Sequence, residues 1–450
     1  MAFDFDKDTD SVTSSRTSAG IGTGAGAVPI RTAIIGGGVA GLTAAGTALR
    51  RGEDVTIFEH SRATALKLGI TGKGRCNLTN NCTVDEFLAN VPTNPRFLYA
   101  SLTAFPPSAV MELFESLGVP LKTERGRRVF PESDRALDIV AALRRYASGA
   151  KIITASIEGL TLNGGGSQVV ALTASDGRKF AGFDRYIVST GGLSYPATGS
   201  RGAGYELARM AGHTVTPLRA SLVPLTAEGT LASSLMGLSL KNVAVTFTPV
   251  ISGGGKPPKP VYTDFGELLF THFGVSGPVV LSASAYLRGL PDTKYTLSID
   301  LKPALDESAL DARLLSDFSD NINRDFINSL SALLPAKLIE PFVSLSGIDP
   351  RRKVNTITRQ ERRDLVYLLK HLTLTINGTR PVAEAVITSG GVSVKELDPR
   401  TMRSKLVSNL YFAGEVIDVD AYTGGYNLQI AFSTGFCAGG AGDARDARLS

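Results

Sequence analysis

The stretch "AIIGGGVAGLTAA" constrains the fold of this 450-residue chain more than any other segment. Gly36, Gly38 and Gly41 form a G-x-G-x-x-G pattern that follows an apolar run and opens an Ala- and Leu-rich segment. In a strand–turn–helix unit the first glycine permits a tight turn, the second lets a pyrophosphate approach the backbone, and the third lets the helix pack on the strand. Val39 and Ala40 would add free N–H groups of the helix N-terminus. The pattern therefore predicts a Rossmann-type β-α-β unit that binds a dinucleotide.

An acidic residue at the end of the next apolar run strengthens this prediction. Glu59 closes "DVTIFE", 23 positions after Gly36, where a carboxylate accepts hydrogen bonds from both ribose hydroxyls of a dinucleotide. We predict a strand over 28–35, a helix to about Arg51 and a second strand that ends at Glu59. This unit alone leaves NAD and FAD as alternatives.

A second glycine-rich segment, "LYFAGEVIDVDAYTGGYNLQIAFSTG", favours FAD. It places a strand before Gly414 and Glu415, then a Gly-Gly turn that ends at Gly425 and leads into a helix. FAD is long enough to need contacts from this distant part of the chain, and Glu415 or Asp418 would bind its ribitol hydroxyls. A helix that starts near Asn427 would aim N–H groups at the flavin edge where negative charge builds on reduction. A turn before a buried core helix is the alternative interpretation.

The composition indicates a globular protein with little excess charge. Lys and Arg outnumber Asp and Glu by 47 to 42, and the densest basic run, 351–363, is interpreted as a solvated helix face. Cys76, Cys82 and Cys437 make no disulfide framework and fit a reducing compartment. No apolar run is long enough to cross a membrane, and 1–27 is interpreted as a disordered tail. We therefore expect a soluble cytoplasmic protein with no nucleic-acid partner.

The pattern along the chain predicts one domain built from two separate segments and interrupted by an insertion. We assign the FAD-binding domain to 28–215 and 376–450, and a substrate domain to the insertion, 216–375. Alternating segments such as "LKNVAVTFTPV" indicate β structure over 216–303. Amphipathic segments such as "RQERRDLVYLLKHL" indicate helices over 304–375.

Several strings in one order make the chain resemble a known family. They are "GGGVAGL", "GRCNLTN", "RVFPESDRALDIV", "STGGLSYPATGS", "GELLFTHFGVSGP", "SGGVSVKELDPRTM" and "GEVIDVDAYTGGYNLQIAFSTG". The chain resembles the BaiN-like (YhiN-type) family of NAD(P)/FAD-dependent oxidoreductases, two-dinucleotide-binding-domain flavoproteins similar to aminoacetone oxidase. The resemblance implies an α/β fold, with a Rossmann-type FAD-binding domain, an inserted β-barrel-like subdomain and a helical subdomain. It also implies FAD as cofactor, a small-molecule substrate and NAD(P)H as a transient electron donor.

The resemblance also implies which positions contact FAD. Residues 36–41 would hold the pyrophosphate, Glu59 the adenosine ribose, and the backbone of Ile157 the adenine. The turn beside the cofactor would consist of Thr190, Gly191 and Gly192. The segment over ribitol and isoalloxazine would include Gly414, Glu415, Asp418, Gly425, Tyr426, Asn427, Leu428 and Gln429.

The loop "GITGKGRCNLTNN" follows the second predicted strand. It lacks the residue spacing of a phosphate loop, its cysteines have poor metal-ligand spacing, and its Asn-x-Thr triplets do not fit a chain without a secretion signal. We predict that it forms one wall of the cofactor site, with the backbone of Gly72 and Gly74 close to FAD. Arg75 would meet a phosphate or flavin oxygen, Asn77 the ring edge, and Cys76 would lie between them. No metal site is predicted.

Three functions stay open at this point. The first is a FAD-dependent oxidoreductase that passes hydride through flavin N5 to or from a small organic substrate, with His272 as a candidate proton relay or a core histidine. The second is a FAD-binding redox sensor or partner protein without turnover, with Cys76 or Cys82 as the sensing thiol. The third is a FAD-dependent RNA-modifying enzyme, which the small net charge disfavours. The sequence does not specify the substrate or the oligomeric state.

Overall fold

A computed structural model of the chain describes residues 28–251 and 258–441, so the tail predicted over 1–27 lies outside the described residues. The strands within these ranges are β1 Arg31–Ile35, β2 Asp54–Glu59, β3 Thr79–Asn80, β4 Leu121–Glu124, β5 Arg128–Pro131, β6 Lys151–Thr154, β7 Ile157–Leu162, β8 Val169–Ala174, β9 Lys179–Ala181, β10 Arg185–Val188, β11 Arg219–Ser221, β12 Leu225–Ala227, β13 Ser239–Pro249, β14 Tyr262–Thr271, β15 Gly274–Ser276, β16 Tyr295–Asp300, β17 Leu372–Thr379, β18 Ile387–Ser389 and β19 Leu410–Phe412. The α-helices are α1 Val39–Arg50, α2 Leu66–Ile70, α3 Val84–Leu88, α4 Pro95–Ala104, α5 Pro107–Ser116, α6 Ala136–Tyr146, α7 Ala203–Met210, α8 Leu231–Ser234, α9 Pro278–Ser284, α10 Glu307–Ser319, α11 Phe326–Ser329, α12 Ala336–Ser346, α13 Arg359–Lys370 and α14 Tyr426–Phe436.

Five parallel strands form the central sheet, in the order β19-β10-β1-β2-β6. Ile34 of β1 pairs with Ile57 of β2 on one side and with Ile187 of β10 on the other. The last four residues of β1 are buried, as expected for a parallel strand that is covered on both faces. Helices α1 and α14 pack against each other beside this sheet. The Rossmann-type domain predicted from the glycine pattern is confirmed.

The insertion forms a closed barrel in the order β12-β15-β14-β13-β16-β17. Tyr295, Leu297 and Ile299 alternate along β16 and are buried inside the barrel, with the period of two that a half-buried strand requires. Helices α10, α12 and α13 pack against the same core, for example through Leu314 and Leu369. The barrel-like and helical subdomains of the predicted fold are therefore both present, and β17 closes the barrel after the helices in sequence.

Two hydrophobic cores correspond to these two parts of the described chain. One surrounds the parallel sheet and draws on residues 33–211 and 392–438, while the other fills the barrel between residues 225 and 376. Strand β11, which leads into the barrel, pairs antiparallel with β18, which leaves it. No α-helix in the described ranges combines the length and the apolar character needed to cross a bilayer.

Candidate cofactor site

A cavity lies at the carboxyl ends of β1, β2, β10 and β19. Parallel α/β sheets bind their ligands at this edge, because the loops that follow the strands converge there. The predicted contact residues that line the cavity are Gly36, Gly38, Val39, Ala40, Glu59, Ile157, Thr190, Gly191, Gly414, Glu415, Asn427 and Leu428. The fold thus brings the first glycine motif and the distant "GEVIDVDAYTGGYNL" segment to one site.

The glycine turn at the start of α1 allows unusually close backbone contacts. A Cβ on Gly36 would lie 2.7 Å from the carbonyl oxygen of Ser189, and a Cβ on Gly41 would lie 2.0 Å from the carbonyl oxygen of Gly36. By contrast, no heavy atom lies within 4 Å of the Cβ position of Gly38. Gly38 is the N-cap of α1 and provides no side-chain cap, so the first N–H groups of the helix stay available for an anion. This arrangement fits a pyrophosphate.

Two backbone N–H groups hold the Glu59 carboxylate in place. It is buried at the end of β2, where Oε2 accepts a hydrogen bond from the Gly37 N–H at 2.8 Å and Oε1 accepts one from the Ser61 N–H at 2.7 Å. The His60 Nδ1 lies 3.4 Å from Oε1. Each carboxylate oxygen keeps lone-pair capacity for a second donor. Two ribose hydroxyls of FAD would supply such donors.

Two buried polar atoms near the cavity have no hydrogen-bond partner among the described residues. They are Oγ1 of Thr190, which lines the cavity, and Oδ1 of Asn77, in the loop that follows the cavity-lining Thr71. Buried polar atoms in native proteins almost always have partners. A hydroxyl or ring N–H group of FAD would fit the Thr190 oxygen, whereas the Asn77 oxygen belongs to a residue that does not line the cavity.

An ion pair that the sequence did not reveal lies in the same cavity. The Lys67 ammonium donates to Glu415 Oε2 at 2.7 Å and to Ser194 Oγ at 2.6 Å. Glu415 Oε1 accepts further bonds from Ser194 Oγ and from the backbone N–H of Thr388, both at 2.9 Å. Glu415 is therefore held by three donors, and its predicted bond to ribitol would be added to this network. The only local signal was a lysine within the otherwise apolar segment before the glycine loop.

Other predicted residues do not line the cavity: Gly41, Gly72, Gly74, Arg75, Cys76, Asn77, Gly192, Asp418, Gly425, Tyr426, Gln429 and His272. Gln429 is buried, accepts a bond from Thr79 Oγ1 and donates one to the carbonyl of Phe105, so it ties α14 to the core. His272 is exposed between β14 and β15 and packs against Phe273. The role of His272 as a proton relay stays a prediction.

The loop residues Arg75 and Cys76 have protein partners instead of facing the cavity. The Arg75 guanidinium donates to Glu124 and Asp134, and it lies 4.2 Å from the centre of the Phe130 ring. Cys76 is fully buried, and burial raises the pKa of its thiol to about 12. A thiol with so high a pKa is protonated at neutral pH and reacts slowly, which argues against a sensing role.

Comparison with known proteins identifies the family. The family described as "HI0933-like protein Rossmann domain" matches residues 30–441. The chain belongs to this family. It is 31% identical to the 3-dehydro-bile acid delta(4,6)-reductase of Clostridium scindens over 91% of this chain and 98% of that protein. It is 33% identical to the ribosomal RNA dihydrouridine synthase of Haemophilus influenzae over 90% of this chain and 96% of that protein.

A solved structure shares the fold of this HI0933-like protein. The 3-ketosteroid delta1-dehydrogenase from Sterolibacterium denitrificans matches with a TM-score of 0.50 and 13% sequence identity, over 91% of this chain and 98% of that one. The family model and the C. scindens relative confirm the family predicted from the sequence strings. Family membership, the Rossmann topology and the cavity together make the protein a FAD-dependent oxidoreductase.

Proposed function

We propose that this FAD-dependent oxidoreductase exchanges a hydride with a small organic substrate that enters between the Rossmann domain and the barrel, with NAD(P)H as electron donor. When bound, FAD supplies the hydride chemistry through its N5 atom. The observation that carries the proposal is the convergence of Gly38, Glu59 and the start of α14 on one cavity. These groups match the phosphates, the ribose and the flavin ring of FAD in turn.

The first turn of α14 would hold the flavin edge. Gly425 is its N-cap at φ +97, a conformation that side chains rarely adopt, and a Cβ there would lie 2.4 Å from the Thr79 backbone. The Asn427 side chain accepts a hydrogen bond from the Ala421 N–H and donates one to the Ala421 carbonyl, so it fixes the preceding loop. The backbone N–H of Asn427, in the first turn of α14, would be left for the cofactor. The positive end of the helix dipole would stabilise negative charge on the ring.

We infer the substrate class from the name of the C. scindens relative. We propose that the protein reduces a carbon–carbon double bond conjugated to a carbonyl, because the name of that relative describes a delta(4,6)-reduction. The residues of this chain would bind FAD and hold Glu415 beside Lys67 at the cavity.

A second candidate is the reduction of uridine in ribosomal RNA. It is favoured by the names of the H. influenzae relative and of an Escherichia coli relative, 32% identical over 90% of this chain and 96% of that protein. The basic run at 351–363 gives it little support, because Arg352, Lys353 and Arg362 are paired with carboxylates of the helical subdomain. Arg352 bonds Glu361, and Arg362 bonds Asp311. We therefore place the small substrate first.

Anaerobic reduction of the purified flavoprotein tests the proposal. We expect NADPH or NADH to bleach the visible flavin absorption, and a steroid or cyclic enone to restore it faster than buffer alone. Restoration by ribosomal RNA and by no enone would favour the second candidate. A colourless protein that takes up no FAD would contradict both.

A further inference from the structure

A second cavity of about 510 Å³ lies beside β11 and β18, where the chain passes between the Rossmann domain and the barrel. This volume is within the range of small-molecule sites. We call it the interdomain cleft. The residues that line it from the barrel side are Ser284, Ala285, Leu287, Arg288 and Leu290. Ser389 and Asp418 line the cleft, while their near neighbours Ile387 and Val419 line the cofactor cavity. The same two segments therefore border both spaces.

Two guanidinium groups at the cleft form no ion pair within the described part of the chain. Arg219 and Arg288 are both exposed. The Arg219 Nη1 donates to the carbonyl of Arg288 at 3.3 Å. The Arg288 Nη2 donates to Thr93 Oγ1 at 2.9 Å, and its Nε donates to the carbonyl of Ala285 at 3.4 Å. Because a guanidinium has five N–H donors, most of them remain available to a ligand. Elsewhere, arginines such as Arg75 and Arg352 are bonded to carboxylates.

The floor of the cleft restricts the charge of that ligand. Asp420 is buried behind it and accepts hydrogen bonds from Ser221 and Ser389, so both hydroxyl protons point away from the cleft. Asp418 lines the cleft itself, and burial raises its pKa. The Asp418 carboxylate would repel a dianion such as phosphate more strongly than a monoanion. A monoanion with a planar head would match the donors that the Arg288 guanidinium keeps free.

We propose that the interdomain cleft binds a carboxylate group of the substrate, with Arg219 and Arg288 as the residues that anchor it. This inference rests on the proposed function, and it narrows the substrate to small organic carboxylates. The carboxylate would be held at the cleft, and the reacting end of the molecule would extend past β18 to the cofactor cavity. Arg219 and Arg288 are positioning residues, because they hold the end of the substrate that does not react.

Titration of the FAD-loaded protein with hexanoate and with hexanamide tests this assignment, because the two probes share a chain length and differ in charge. We expect hexanoate to bind about tenfold or more tightly, as measured by calorimetry and by the change in flavin absorption, because charge-assisted hydrogen bonds are the stronger ones. Arg288→Gln and Arg219→Gln should each remove most of this preference, and Arg288→Lys should restore part of it. Arg359→Gln, in an exposed part of α13, is the control and should bind like the unchanged protein.

Equal binding of hexanoate and hexanamide, or binding of neither, would overturn the assignment. Tighter binding of inorganic phosphate, lost in the same two variants, would also overturn it and indicate a phosphorylated ligand. The flavin content and the reduction by NAD(P)H are measured on each preparation. Their loss in the unchanged protein contradicts the proposed function, whereas their retention without a carboxylate preference contradicts only this inference.

Discussion

The two glycine-rich loops of the Rossmann domain, 36–41 and 69–77, look alike in sequence but use glycine for different reasons. In the first, a Cβ on Gly36 or Gly41 would collide with backbone or side-chain atoms less than 3 Å away. In the second, the Cβ position of Gly74 is open and that of Gly72 lies 3.1 Å from the Asn77 backbone nitrogen, and both glycines have positive φ values, +85 and +57. Glycine in the first loop permits close packing, whereas glycine in the second reverses the chain.

The charged residues of the two loops also differ, in whether protein groups already bind them. Glu59 is buried beside the first loop and has carboxylate lone pairs that face the cofactor cavity. Arg75, in the second loop, is already bonded to Glu124 and Asp134. A glycine-rich loop with a charged residue therefore indicates a cofactor contact only where the charged side chain keeps hydrogen-bonding capacity that no protein group uses.

The largest effect should come from Gly41→Ala. The new methyl group would overlap the Gly36 carbonyl and separate α1 from β1, so we expect the free energy of unfolding to fall by about 3 kcal/mol and FAD to be lost. Gly74→Ala is the matched control, because it meets only backbone strain of about 1–2 kcal/mol. Urea unfolding and the flavin-to-protein ratio measure both. Equal losses in the two variants would remove the distinction between the loops.

Glu59→Gln should weaken FAD binding while the fold stays intact. The amide keeps one acceptor oxygen, but the charged acceptor for the ribose hydroxyls is lost, so we expect the dissociation constant to rise about tenfold or more. Fluorescence of released FAD measures this change. Glu158→Gln, an exposed glutamate on β7, should bind FAD normally. An unchanged dissociation constant in Glu59→Gln would show that Glu59 does not contact the ribose.

Arg75→Met should leave FAD retention unchanged, whereas a direct cofactor contact, as predicted from the sequence, would weaken it. The effect should instead be a pH-dependent loss of stability. Arg75 holds the pKa of Glu124 below its usual value, and Lys122 and Arg75 do the same for Asp134. Because both values are lowered, the stability from these pairs is present above the ordinary carboxylate pKa of about 4 and is lost as the pH falls through the folded-state values.

Urea unfolding across this pH range tests the prediction. The difference between Arg75→Met and the unchanged protein should be largest near neutral pH and should shrink on acidification. Arg125→Met, in the turn between β4 and β5, is the control. A difference that grows at low pH, or reduced flavin content at neutral pH, would contradict the prediction.

The smallest expected effect is on the rate at which a thiol reagent labels Cys76. Its thiol pKa of about 12 and its burial predict very slow labelling by a thiol reagent in the native protein and rapid labelling after unfolding. Cys82, half-buried with a pKa raised to about 11, should react before it. Mass spectrometry of the labelled peptides distinguishes the two. Rapid native labelling of Cys76 at neutral pH would revive the redox-sensor hypothesis.

The sequence predicts best what is local. The sequence predicts that the second strand ends at Glu59, and β2 does end there, because the strand, the glycine turn and the helix are consecutive. The ion pair between Lys67 and Glu415 joins residues 348 positions apart, so only the folded chain shows it. For His272, the residue type suggested proton transfer, but the direction of an isolated turn side chain depends on tertiary packing.

The position of β19 at the edge of the parallel sheet affects how the chain folds during synthesis. All barrel strands lie between Leu225 and Thr379, so the ribosome completes them before it makes β19 or α14. Until then β10, whose four residues are all buried in the final structure, is an open sheet edge that is apolar except for Arg185. Such edges pair readily with other chains. We therefore expect chaperone contacts on the nascent Rossmann domain, and FAD uptake only after α14 has emerged.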